Sequence, residues 1–235
     1  MVAAAPRIWV TRASPGAEET AARLAAMGLP PLVDPLLLVV PLSPPIELDG
    51  VAALAFTSVN GVEAFARLCA DRSRPVFAVG ERTARAAREA GFGEVVSADG
   101  DVSALAALIV GQAAQIAGVV LHPSALEPAG DLVSPLVVAG LTARRVAVYE
   151  TVGRDPEPAT LAQLGTMAAV LLHSPRAAGM LARVLEGRPA PSLRALCLSP
   201  SVAAALGTAE KDGRLASVTS APHPSETALL DLLTV

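Results

Sequence analysis

The sequence predicts an α/β fold of parallel sheets flanked by helices, present in two similar copies. Three observations carry this. Short apolar runs end in polar, Gly or Pro punctuation; several are followed by an Ala-rich helical stretch; and much of the text recurs in the second half of the chain. The runs, in order, are "RIWV", "LLLVV", "ALAF", "PVFAVG", "GVVLH", "VAVY", "AVLL" and "ALCL". After the first, "AEETAARLAAMG" places Ala21, Leu24, Ala25 and Gly28 at the spacing of one helical face, and Gly28 reads as the stop. The stretch from Ala52 to Phe56 reads as a buried strand that hands over through Thr57, Ser58, Asn60 and Gly61 to a helix.

The recurrence has a definite register. "WVTRASPGAEETAARLAAMG" aligns with "VLHPSALEPAGDLVSPLVVAG", placing Gly28 over Gly140. "LAFTSVNGVEAFARL" aligns with "VLLHSPRAAGMLARV", placing Ser58 over Ser174, and "VFAVGERTARAAREAG" with "ALCLSPSVAAALG", placing Gly80 over Ser199. The offsets of 112, 116 and 119 residues keep the same order and drift slowly. The copies differ after their first helix. Leu37 falls opposite Tyr149, the only tyrosine, which has Glu150 and Thr151 beside it. An unequal pair of similar domains suggests a cleft between them, a favoured place for a ligand.

Composition narrows the function. Hydrophobic residues make up 52% of the chain and aromatics 3%, so the core is built from Ala, Val and Leu. A net charge of −4, with a single lysine, Lys211, argues against a nucleic-acid surface. Cys69 and Cys197 lack ligand spacing and read as reduced, mostly buried thiols. The N-terminal text has no signal-like apolar core, and no uninterrupted apolar run is long enough to span a bilayer, so the expected location is cytoplasmic with no membrane partner.

The strand ends carry the chemistry. Small polar residues stand where strands should pass to helices: "TRASPG" with Thr11 and Arg12, "TSVNG" with Ser58 and Asn60, "GERT" with Gly80, Arg82 and Thr83, "SPR" with Ser174 and Arg176, and "SPS" with Ser199 and Ser201. "HPSET" at 223–227 begins a last helix. Each is readable as an ordinary N-cap. The same ends are also where open α/β sheets bind ligands and where helix N-termini attract anions. Several such ends with three arginines suit a ligand rich in carboxylates.

Other chemistries lack their signatures. There is no dinucleotide or Walker-type glycine loop and no nucleophile elbow. His122, His173 and His223 have no metal spacing and read as loop or capping residues. Glu18, Glu19, Asp99 and Asp101 read as solvated caps, and Trp9 as core.

Taken as an ordered set, "WVTR", "FTSVNGVEAF", "FAVGERTARAAREAGF", "VYETV", "LLHSPRAA" and "SAPHPSETALLDLL" resemble the uroporphyrinogen-III synthase family over nearly the whole chain. The resemblance implies two similar domains, each a parallel sheet flanked by helices, joined by a two-stranded linker. Domain 1 would be discontinuous, residues 1–34 plus 154–235; domain 2 would span 43–145, with linker strands at 35–42 and 146–153. It implies a cyclising lyase that converts hydroxymethylbilane, a linear tetrapyrrole with eight carboxylates, to the III isomer with inversion of ring D and loss of water. No cofactor or metal would be used.

Residue by residue, the resemblance maps Tyr149 onto the family's tyrosine, as a general acid or only a binding residue. Thr83, Ser58, Ser174 and Ser201 map onto its strand-end hydroxyls. Ser199, where a glycine is usual, and "HPSALEPAGDL" depart from the pattern. No apolar stripe in the text demands a dimer, so a monomer is expected, in transient contact with hydroxymethylbilane synthase. The alternatives are a two-lobed, non-catalytic binder of small anions and an inactive paralogue.

Overall fold

Continuous apolar text makes these strands because a parallel strand covered on both faces has no solvent side to keep polar. The computed structural model describes residues 6–234. The chain begins with β1 (Ile8–Val10), α1 (Gly16–Ala26), β2 (Pro31–Val33) and β3 (Leu37–Pro41). It continues through β4 (Val51–Phe56), α2 (Val59–Leu68), β5 (Val76–Ala78), α3 (Glu81–Glu89), β6 (Val95–Ser97) and α4 (Val102–Gly111). Next come β7 (Val119–Ala125), α5 (Val133–Val138), β8 (Thr142–Gly153) and α6 (Pro158–Leu161). It closes with β9 (Ala169–Leu172), α7 (Pro175–Gly187), β10 (Ala190–Cys197), α8 (Pro200–Ala204), β11 (Leu215–Ser220) and α9 (Glu226–Asp231). Among the described residues, no helix is long and apolar enough to cross a membrane.

Two units result: Met1–Leu38 with Val152–Val235, and Val39–Thr151, so the division falls inside β3 and β8. The first unit holds a five-stranded sheet in the order β11-β10-β9-β1-β2, all its pairs parallel. The other sheet runs β3-β8-β7-β4-β5-β6. Setting β1 against β7, β2 against β8, β9 against β4, β10 against β5 and β11 against β6 gives one order, the structural form of the sequence repeat. The glycine stops repeat too. Gly28 and Gly140 both adopt positive φ, and the next residue's N–H reaches back to Leu24 and Leu136 respectively, closing each helix in the same way.

Alternation along each strand divides the core in two. In the first unit Trp9, Val170, Leu172, Ala195 and Cys197 pack on one face. Ile8, Val10, Ala169, Leu171 and Leu196 pack on the other. In the second unit Leu54, Phe56, Val76 and Leu121 lie on one side, and Ala53, Ala55, Phe77 and Val120 on the other. The scarce aromatics are concentrated. Phe56, Phe65 and Phe92 have ring centroids 5.8 to 6.4 Å apart. Arg72 lies over Phe92 and donates to the carbonyls of Ala66, Cys69, Asp71 and Ala90, which satisfies the end of α2.

Four expectations need correction. The inward face of α1 is Ala17, Thr20 and Leu24, while Ala25 and Gly28 are exposed; the helix is rotated so that the Thr20 hydroxyl meets a carboxylate described below. Strands β2, β6 and β11 were not foreseen: two are three residues long, and β11 is half polar. Strand β7 runs beyond "GVVLH" to Ala125. His122 is therefore neither a loop nor a capping residue but a strand residue 2% exposed. Both cysteines are free, Cys197 fully buried and Cys69 half-buried, and burial pushes the Cys197 thiol up to about 12.

Gly118 and Gly28 separate two glycine requirements. At Gly28 (φ +73°) an added Cβ meets nothing within 4 Å; at Gly118 (φ +157°) it falls 2.5 Å from the Gly50 carbonyl oxygen, which also accepts the Val119 N–H. Gly28→Ala should cost about 1 kcal/mol. Gly118→Ala should cost about 3 kcal/mol or more, because backbone cannot step aside. Urea midpoints of the two variants check the difference; equal midpoints contradict it.

Candidate active site

In a parallel sheet the carboxyl ends of neighbouring strands open on one edge, so residues just past them become neighbours whatever their sequence separation. In the second unit β4 pairs in parallel with β5 on one side and β7 on the other, and β7 with β8. Past β4, Ser58 takes the extended backbone of an N-cap and its Oγ accepts the Gly61 N–H at 3.0 Å. The same Oγ lies 2.9 Å from the Tyr149 hydroxyl, joining two expected site residues 91 positions apart. Tyr149 is 7% exposed and packs against Ala64, Ala125 and Val148. Its ring is buried, and its hydroxyl lies against the half-buried Ser58.

Next along the edge, α3 starts on Gly80, which has no side chain to cap it. The first turn of α3 therefore receives no side-chain cap, and its N–H groups point along the helix axis toward the strand ends. A Cβ at Gly80 would meet nothing within 4 Å, so space lies beside them. Arg82 is exposed, Asn60 is half-buried in the first turn of α2, and Thr83 is only 5% exposed, so its side chain serves packing more than reach.

The first unit is built likewise around β10, β9 and β1. Ser174 caps α7, its Oγ accepting the Ala177 N–H at 3.2 Å, with Arg176 exposed in the first turn. Ser199 and Ser201 bond one another at 2.9 Å, and Ser199 makes no side-chain cap. Thr11 is corrected: it is fully buried and donates to the Leu171 carbonyl at 2.6 Å, tying β1 to β9 and leaving its hydroxyl no room for a ligand. Arg12 is also turned inward. It lies where a Cβ on Gly16 would clash at 2.4 Å, and its Nη1 meets Glu226 Oε2 at 3.1 Å.

That carboxylate is the centre of a cluster the sequence did not announce. Glu226 Oε1 accepts from Thr20 at 2.5 Å, and Oε2 bonds His173 Nε2 at 2.9 Å. Glu226 opens α9, Thr20 lies on α1 and His173 follows β9. Only the cap text "HPSET" hinted at a role nearby. Burial alone would raise the Glu226 carboxyl; hydrogen bonds from His173 and Thr20, with the Arg12 charge, outweigh it and hold the group at about 2.

Glu226 therefore couples the fold to acid. Its folded-state value lies below the ordinary 4.5, so its contribution is complete above about pH 4.5 and is lost as pH falls toward 2. Glu226→Gln should lower stability at pH 7 by about 2 kcal/mol and flatten the stability profile in that window. Urea unfolding at stepped pH measures this; parallel profiles for the two proteins contradict it.

Comparison with known proteins bears on the chain as a whole. No curated protein matches the chain. The fold is similar to that of uroporphyrinogen-III synthetase from Helicobacter pylori 26695, with TM-score 0.64 and 17% identity over 97% of this chain and 98% of that one. It is also similar to a mutant uroporphyrinogen III synthase from the extremely thermophilic bacterium Thermus thermophilus, with TM-score 0.52 and 17% identity over the same shares. Identities this low show the fold alone. The model of the family described as uroporphyrinogen-III synthase HemD matches residues 18–231, nearly the full length, and reaches from α1 to the end of α9. On that match the chain belongs to the uroporphyrinogen-III synthase family, cyclising lyases of tetrapyrrole synthesis.

Proposed function

We propose that this chain converts hydroxymethylbilane to uroporphyrinogen III, and that Tyr149 and Ser58 act together in the proton transfer. The observation that carries the residue assignment is the 2.9 Å contact between their hydroxyls at the start of α2. Loss of the terminal hydroxyl from the linear tetrapyrrole needs a proton. Because Ser58 Oγ already accepts the Gly61 N–H, it can donate to the phenol oxygen while the phenol proton leaves. It can instead pass a proton outward while accepting from Tyr149. In both cases the positive end of α2 favours the phenolate that remains. The buried ring fixes the phenol in one place.

The rest of the reaction is a problem of shape. The azafulvene formed by loss of water is reactive and closes unaided to the I isomer, so the protein must hold the chain in the fold that gives the III isomer. Ser174, Asn60, Arg82, Arg176, Ser199, Ser201 and the first turn of α3, which Gly80 cannot cap with a side chain, are the donors proposed to grip its carboxylates. Thr83 would contribute through its backbone N–H. A net charge of −4 tolerates a polyanion when most donors are neutral N–H and O–H groups. We propose further that the chain works as a cytoplasmic monomer, receiving its unstable substrate in transient contact with hydroxymethylbilane synthase.

Freshly made hydroxymethylbilane, product oxidation and chromatographic separation of the isomers test the reading. The wild-type chain should give chiefly the III isomer. Tyr149→Phe should slow its formation by about a hundredfold without abolishing it, shifting product toward the I isomer that forms unaided. Product that is all I isomer with the wild-type chain rejects the reaction; an unchanged rate with Tyr149→Phe removes the phenol from it.

A further inference from the structure

A second polar centre lies within the second unit, on the face of its sheet covered by α4 and α5. His122 stands on β7, 2% exposed. Its Nδ1 lies 2.8 Å from the Ala55 carbonyl oxygen. A carbonyl only accepts, so Nδ1 carries the proton and Nε2 presents a lone pair. Burial pushes the imidazole below its ordinary value, which keeps it neutral. Nε2 has no protein partner among the described residues, although it is buried. An unmet buried acceptor costs about 1–3 kcal/mol.

His122 lines a pocket of about 490 Å³ walled by Pro128, Leu132 and Val133, with Asp131 and Arg145 also lining it. That volume suits a small ligand, and the mixture of apolar wall and few polar groups is what such sites show. The charged groups are committed. Arg145, register partner of His122 on β8, donates to the carbonyls of Ala125 and Leu126. Asp131 accepts the N–H groups of Val133 and Ser134 at the start of α5. Their opposite charges offset one another, so the pocket has no preference for a polyanion, unlike the strand-end donors. The unspent group is the His122 acceptor.

We propose that this pocket binds a small, neutral, largely apolar molecule whose N–H or O–H donates to His122 Nε2, at a site separate from the Ser58–Tyr149 pair. Pro128, Gly130 and Asp131 of the lining belong to residues 126–132, which join β7 to α5. A bound ligand would pin those residues between β7 and α5.

Indole and N-methylindole are the test pair: the same ring system, with and without the donor. The protein has three histidines, so side-chain nitrogen NMR can follow His122 alone after assignment with His122→Phe. Millimolar indole should move the His122 Nε2 resonance saturably. N-methylindole should bind about tenfold more weakly. Val133→Trp, which fills the pocket from its wall and leaves the imidazole in place, should remove the shift. The proposal is overturned if indole gives no saturable shift, which would mean that water alone satisfies the nitrogen. Equal binding of the two indoles, benzoate binding as tightly as indole, or an unaltered response in Val133→Trp would also overturn it.

Discussion

The first unit depends on one strand of three residues. β1 enters between β9 and β2, pairing in parallel with both, and all three of its side chains are buried. Two further bonds lock it: Trp9 Nε1 donates to the Asp34 carbonyl and Thr11 to that of Leu171. Asp34 in turn accepts the Glu157 N–H and lies beside Arg154. A sheet assembled from both ends of the chain must wait for non-local pairing, which is costly in loop closure and is repaid only when the apolar faces close. The same pairing sets Arg12 and Thr20 beside His173 and Glu226. That cluster spans more than two hundred positions of sequence yet forms at a single sheet edge.

Repetition of one strand order gives each unit the same resource. Parallel strands bring several helix starts to one side, and each start leaves N–H groups without intrahelical partners. Some are met by serine oxygens, as at Ser58, Ser174 and Ser225; the start of α3 has no side-chain cap. The units then diverge. In one, the edge is occupied by a carboxylate that holds Arg12. In the other it carries a phenol, because β8 continues where its counterpart β2 stops at Val33 before Asp34. The extra length brings Tyr149 to Ser58. The tyrosine is thus a consequence of the asymmetry between copies.

Much of this was legible in the sequence for a physical reason. Buried parallel strands are apolar throughout, helices stop on glycine at positive φ, and caps use small polar side chains, so strand, stop and cap each leave a local mark. What was missed has no local mark. Thr11 looks like a cap because the text cannot say that its hydroxyl faces a neighbouring strand. His122 looks like a loop residue because nothing in "LHPS" reveals that the strand continues through Pro123. The face of α1 was misjudged because Thr20 is polar, and its burial makes sense only with Glu226 in view, 206 positions away. Short strands such as β2 and β6 are fixed by partners more than by their own composition.

Strand-end recognition of carboxylates is most directly measured by amide hydrogen exchange with and without the tetrapyrrole product. Slowed exchange in the first turns of α2, α3 and α7, on both units and at residues following Ser58, Gly80 and Ser174, is the expected result. Unchanged exchange at those turns, with protection confined to other faces of the sheets, would contradict it.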